Sequence, residues 1–262
     1  MRPHRVGLIG KLRATAGFIG IVKNWGDHYI ATHGSAQPRR LIYRLRNGLQ
    51  LEARPRTLDV AVLKDVFYRR VYGPPGFQIE DGFTVLDIGA HLGAFAASAA
   101  RAACGVKVFA FEPAPENFTL LSSNMARNGL SNVQLSQEAV AGAAGTRALH
   151  LSESPAEHSF HIVKPGGAEV PVASVTLAEV ARRHGLETVD FLKMDCEGAE
   201  YEILETAARD GLAFVRRIAM EAHVLDASRT PGRLCTLLQD QGFLVRTGFE
   251  GDSTTMIWAR RG

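Results

Sequence analysis

From residue 83 onward, short apolar runs alternate with segments of helical periodicity. The runs at 84–88, 106–111, 133–136, 148–151, 190–194, 216–221, 243–249 and 254–260 are too short for helices and predict strands. Apolar spacing over 93–103, 115–128, 174–184, 198–209 and 230–241 predicts helices between them. That alternation predicts an α/β fold: a doubly wound, mostly parallel sheet with helices on both faces. Only Glu250-Gly251-Asp252 separates the last two strands. A parallel return needs a crossover, so this final pair should be antiparallel.

Before residue 77 the pattern differs. Two alternating runs, 41–46 and 49–54, flank Asn47-Gly48, a strong β-hairpin signal. Leu58, Val62, Leu63, Val66, Phe67 and Val71 give helical spacing over 57–71, and Gly73-Pro74-Pro75-Gly76 stops it. Residues 1–37 suggest one or two short helices broken by glycines. The expected division is a helical and β-hairpin extension at 1–76 and a Rossmann-like domain at 77–262. The stretch 152–169, rich in Ser, Glu, Pro and Gly, predicts a long loop over the site face, a lid or substrate loop. His158 and His161 lie in that loop and read as solvated.

Composition adds little except through charge placement. A 46% hydrophobic and 22% charged chain is ordinary for a globular protein with a sizeable core. Residues 1–56, however, carry 11 Lys and Arg against Asp27 and Glu52, while the remainder is net acidic. A basic arm suits nucleic acid, anionic lipid or an acidic partner, but without a dense block it reads first as a solvated surface. Cys104, Cys196 and Cys235 are odd in number and far apart, with no C-x-x-C pair. Neither a disulfide framework nor a zinc site is indicated, and a reduced, cytoplasmic chain is expected. The apolar stretch 17–22 is too short to span a bilayer and lacks a secretory cleavage pattern, so no transmembrane segment is expected. A peripheral membrane contact stays open.

The chemistry concentrates at Val85-Leu86-Asp87-Ile88-Gly89-Ala90-His91-Leu92-Gly93, followed twenty residues later by an apolar run ending in Glu112-Pro113. A strand, a glycine turn, a helix and a second strand capped by a carboxylate make half of a nucleotide-binding sheet. The pattern is G-x-x-x-G, without the three glycines of a dinucleotide fingerprint or the lysine of a phosphate loop. It therefore suits a nucleoside without a phosphate chain, and S-adenosylmethionine fits. Asp87, Gly89, Ala90, His91 and Gly93 would shape the turn, Glu112 beside Pro113 would accept the ribose hydroxyls, and Glu138, after the third strand, would contact adenine. The competing readings are glycines needed for packing alone and a helix N-terminal acid.

Two further clusters end buried strands. In Asp190-Phe191-Leu192-Lys193-Met194-Asp195-Cys196-Glu197-Gly198-Ala199-Glu200, the residues Lys193, Asp195 and Glu197 alternate and would share a side. Asp195 then falls beside the first strand, facing a transferable methyl group. Glu221 and His223 lie two apart on another strand and supply candidates for a general base. A structural ion-pair network, or a magnesium or zinc site, ranks behind that role, and no metal is assigned.

These residues, with the hairpin, Tyr72-Gly73-Pro74-Pro75-Gly76, Glu116-Asn117-Phe118 and Glu221-Ala222-His223, closely resemble the FkbM family of S-adenosylmethionine-dependent methyltransferases over about 41–224. The resemblance implies a class I methyltransferase fold and O-methylation of sugars, polyketides or other secondary metabolites. It further implies that Asp87, Gly89, Gly93 and Glu112 bind cofactor and that Asp195 and Glu197 edge the reaction site. His91 departs from the asparagine the family often carries there. The expected partner is a small-molecule, glycan or peptide acceptor, with a homo-oligomer left open. His223 or Glu221 would be the base, and Asp195 would position the acceptor or the methyl. The rivals are N-methylation of an amide or amine, RNA methylation guided by the basic arm, which is disfavoured, and a non-catalytic cofactor-binding subunit.

Overall fold

The computed structural model describes residues 16–35, 37–152, 158–160, 168–210, 212–249 and 253–262. It begins with helical residues 16–21 (α1), then α2 (Trp25–His33), β1 (Leu41–Arg44), β2 (Gln50–Ala53) and α3 (Asp59–Lys64). A π-helical turn, Asp65–Arg69, continues α3 and ends at Arg70, whose φ is 52°. The helix expected over 57–71 is thus shorter and changes winding part-way, a feature frequent beside functional sites.

The alternating region gives β3 (Thr84–Ile88), α4 (Ala94–Ala100), β4 (Lys107–Phe111), α5 (Pro115–Arg127), β5 (Val133–Ser136), β6 (Ala139–Val140), β7 (Gly145–His150) and β8 (Glu169–Val175). It ends with α6 (Leu177–His184), β9 (Val189–Met194), α7 (Glu200–Asp210), β10 (Val215–His223), α8 (Pro231–Asp240), β11 (Phe243–Gly248) and β12 (Thr254–Arg261). Seven strands form one sheet in the order β11-β12-β10-β9-β3-β4-β5. β12 runs antiparallel to both neighbours, while the pairs among β10, β9, β3, β4 and β5 are parallel. The expected doubly wound class I methyltransferase architecture is present, with its antiparallel last strand.

Local signals explain the elements. Thr176 and Glu179 form a reciprocal capping box that starts α6, and Gly185 at positive φ ends it. Pro115 opens α5, where its missing N–H costs nothing. Successive strand residues alternate between faces, so Val85 and Phe191 join one core cluster while Leu86 and Leu192 join the other.

One feature departs from the expected pattern. Residues 169–175 form β8 rather than loop and helix start, pairing antiparallel with β7 and parallel with β6 in a small second sheet. Pro171 obscures that strand in the sequence. It faces Ala148 where β6 does not reach, so no ladder bond is lost. The hairpin and α3 have no separate core: Tyr43, Leu51 and Leu63 share a cluster with Val85, Ala96 and Leu120. Asn124 of α5 and Asn128 at its C-cap accept hydrogen bonds from the Glu52 and Gln50 amides at 2.7 and 2.9 Å, stitching β2 to the sheet domain. No helix among the described residues is long and apolar enough to cross a membrane.

Candidate active site

The glycine turn follows β3 at the carboxyl edge of the sheet, where open α/β sheets receive ligands. Gly89 has φ 73°, and a Cβ there would lie 1.8 Å from the Asp195 carbonyl oxygen. Only glycine lets the turn approach the end of β9 this closely. The amides of Gly89 and Ala90 both donate to the Phe111 carbonyl at 3.0 Å, and the Asp195 amide donates to the Ile88 carbonyl at 3.1 Å. The ends of β4, β3 and β9 are thereby locked together.

His91 also has positive φ, 54°, uncommon outside glycine. This conformation accompanies a 2.8 Å bond from its amide to Glu112 Oε2, while the Ala114 amide donates to Oε1 at 2.9 Å. Burial raises the Glu112 pKa, partly opposed by His91 and the two amides. Each oxygen retains a lone pair for a further donor.

Below the turn, Lys193 Nζ lies 3.1 Å from Asp87 Oδ1 and donates to the Gly89 carbonyl at 2.7 Å. Burial opposes the Lys193 charge, but Asp87 and Asp195 outweigh it and raise its pKa; burial raises that of Asp87. The pair supports the turn from behind. Gly93 caps α4 at φ 86°, and a Cβ there would strike Leu121 and Met125 of α5 at 2.6 and 2.7 Å. Its glycine is required for helix packing.

A cavity of about 300 Å³ opens over these strand ends. Gly89, Ala90, His91, Glu112 and Pro113 line one side, and Asp195, Glu197, Glu221 and His223 line another, with Lys193 also exposed to it. Apolar residues of α3 and of the π-helical turn after it, among them Val62 and Val66, form a further wall. Asp195 Oδ2 accepts the Tyr72 hydroxyl at 2.8 Å. His223 Nδ1 is 3.2 Å from buried Glu200 Oε1, and its Nε2 is 3.4 Å from Glu197 Oε2. Burial disfavours the imidazolium, but Glu200, Glu197 and Asp195 override it and push the pKa to about 10. Burial raises Glu197 to about 8; repulsion by Asp195, then burial, raises Glu221 to about 7. Ligand atoms of Asp195, Glu197 and His223 lie within 4.8 Å of one another, a spacing compatible with a cation, although the ring already faces two carboxylates.

Most of the residues singled out from sequence thus meet at one cavity. Asp87 and Gly93 support it from outside its lining. Glu138 is also outside it: Arg183 Nη1 lies 2.9 and 3.1 Å from its two oxygens, and the Ser136 hydroxyl donates to it at 2.6 Å. Sequence reasoning gave no site role to Tyr72, Asp65, Glu200 or the Arg54–Asp59 pair. His158 lines the cavity, neutral at pH 7 because burial, then His91 and Arg54, lower its pKa to about 4. The Ser159 hydroxyl donates to the Glu197 carbonyl at 2.5 Å, so this part of the 152–169 loop touches the site. His161 lies outside the described residues.

A family model for the methyltransferase FkbM domain matches residues 87–245, more than half of the chain. The chain is 29% identical over 211 residues to methyltransferase sdnD of Sordaria araneosa, covering 68% of this chain and 81% of that protein. It is 26% identical over 232 residues to the 31-O-demethyl-FK506 methyltransferase FkbM of Streptomyces tacrolimicus, covering 76% and 88%. A crystal structure of a methyltransferase FkbM from Methylobacillus flagellatus KT is 14% identical with a TM-score of 0.48, over 70% of this chain and 44% of that one.

Proposed function

The chain belongs to the FkbM methyltransferase family, and on that premise we propose that it moves a methyl group from S-adenosylmethionine to a hydroxyl oxygen of a small-molecule acceptor, such as a polyketide or sugar. One observation carries the proposal. A single cavity joins Glu112, a carboxylate suited to ribose hydroxyls, to Glu221, a carboxylate poised to take a proton near pH 7. The cavity suits the cofactor on its own chemistry: a glycine-walled turn, a buried carboxylate with free lone pairs, and His91 Nδ1, buried without a partner among the described residues. Its volume is also in the range of ligand sites.

When bound there, S-adenosylmethionine supplies an electrophilic methyl group on a sulfonium. Glu112 accepts the ribose hydroxyls, and the Gly89–Ala90 backbone gives the nucleoside room to approach. Methyl transfer is an in-line displacement, so the chain's remaining work is to orient the acceptor and remove its proton. Glu221, with a pKa near the working pH, is the base. His223, held as an imidazolium, has no site for that proton at neutral pH; it steadies Glu197 and Glu200 instead. Asp195, fixed by Tyr72, positions the acceptor.

Two further points support a neutral hydroxyl acceptor. Asp65, Asp195, Glu197 and Glu221 all line the cavity beside Lys193 and His223, and whatever part of this acidic group is ionised repels a phosphate backbone. The Streptomyces relative's name places its methyl on an oxygen of FK506. The test is incubation with methyl-labelled S-adenosylmethionine and a panel of polyketide and sugar alcohols, with amine analogues and RNA alongside. A labelled methyl ether is expected. Labelled amine or RNA without any ether would overturn the proposal.

A further inference from the structure

Arg54 and Asp59 form a buried ion pair outside the family-matched segment, yet it reaches the cofactor turn. Asp59, fully buried, is the first residue of α3. Its Oδ2 accepts the Arg54 backbone amide and Nε–H, both at 2.8 Å, and its Oδ1 accepts Nη2–H at 3.1 Å. Arg54 Nη2 also donates to Asn117 Oδ1 of α5 at 2.8 Å, and Nη1 lies 3.4 Å from Glu116 Oε1. The pair therefore clamps the end of β2, the start of α3 and the first turns of α5.

The third arm of this network is His91. Its Nε2 lies 3.2 Å from both Asp59 Oδ1 and Arg54 Nη2. Both Nη2 protons of Arg54 are already given to Asp59 Oδ1 and Asn117 Oδ1, and a carboxylate only accepts, so His91 Nε2 faces Asp59 as a donor and carries the ring proton. That leaves Nδ1, buried and without a partner among the described residues, as an acceptor on a side chain that lines the cavity. The same contact anchors a residue whose positive φ is held against local preference and whose amide meets Glu112.

We propose that Asp59, backed by Arg54, is a positioning residue for the cofactor site: it holds the His91 ring and through it the turn that presents Glu112. The inference rests on the cofactor reading of the cavity. It makes the N-terminal extension part of the binding machinery. It also ties the cofactor turn to α3, whose next turns line the acceptor side of the same cavity.

The test is a calorimetric titration of the full chain with S-adenosylhomocysteine, using Asp59→Asn, His91→Gly and the double variant. Each single change should weaken binding about tenfold, and the double variant should match His91→Gly alone, because Asp59 acts through the ring. Asp59→Asn should lower the melting temperature in both backgrounds, so non-additivity in affinity separates positioning from general stability. His91→Asn, which tolerates positive φ, should bind better than His91→Val. If Asp59→Asn fails to fold because Arg54 loses its buried partner, the paired replacement Arg54→Met with Asp59→Leu removes both charges and should show the same loss. Wild-type affinity in a folded Asp59 variant, or affinity losses that multiply in the double variant, would overturn the proposal. A wild-type chain that gives no binding heat would overturn the cofactor reading as well.

Discussion

Gly89 sits so close to Asp195 that an added methyl carbon would lie 1.8 Å from the latter's carbonyl oxygen. The cofactor turn and the reaction-side strand are therefore one unit, held backbone to backbone. Gly89→Ala should force them apart and add strain at φ 73°. The expected cost is about 2–4 kcal/mol in denaturant unfolding, with loss of cofactor binding. Unchanged unfolding and affinity would show that the strand ends can separate freely.

The base assignment predicts a pH profile. Glu221 faces Asp195, Asp65 and His223, and its pKa of about 7 places an ascending limb in kcat/KM there. Above about pH 10, loss of the His223 proton should bring the rate down. Glu221→Gln should abolish the ascending limb and lower kcat by about 100-fold or more. An intact limb in that variant would move the base elsewhere.

Tyr72→Phe removes the hydroxyl that fixes Asp195. A fall in kcat of about tenfold is expected, with cofactor affinity unchanged, because Asp195 serves the acceptor rather than the ribose. Equal damage to cofactor binding would contradict that separation of roles.

The strand-ending motifs were legible in sequence because each combines a short apolar run with a polar residue at its carboxyl end. Asp87, Glu112, Asp195, Glu221 and His223 all stand where that rule puts them. The roles of Asp87 and Lys193 as mutual partners beneath the turn were not, since pairing across adjacent strands depends on register. Glu138 was expected to contact adenine, but its carboxylate is held by Arg183, 45 residues away. β8 was hidden by Pro171, which this central strand tolerates because β6 pairs only with Ser174 and Val175. Arg54 and Asp59 carry no local motif at all; their meaning comes from His91, 37 residues beyond Arg54 in the chain.

Stability should fall as the pH rises. A group whose pKa is higher folded than unfolded stabilises fully below its unfolded value and loses that contribution through its folded one. For Glu197 the window runs from 4.5 to about 8, and for His223 from 6.5 to about 10. The melting temperature should decline from pH 5 to pH 10, and Glu197→Gln should flatten the lower part of that decline. A melting temperature that rises across this range would contradict the charge assignment.

The central claim is that the cavity lined by Tyr72, Glu112 and Glu221 is a methyl-donor site with Glu112 as its ribose partner. A crystal structure with S-adenosylhomocysteine tests it most directly. The ribose hydroxyls should lie within hydrogen-bonding distance of Glu112, the amino-acid end should rest on the Gly89–Ala90 turn, and the sulfur should face Asp195 and Glu221. A nucleoside bound elsewhere on the chain, or a cavity that stays empty at saturating ligand, would contradict the claim.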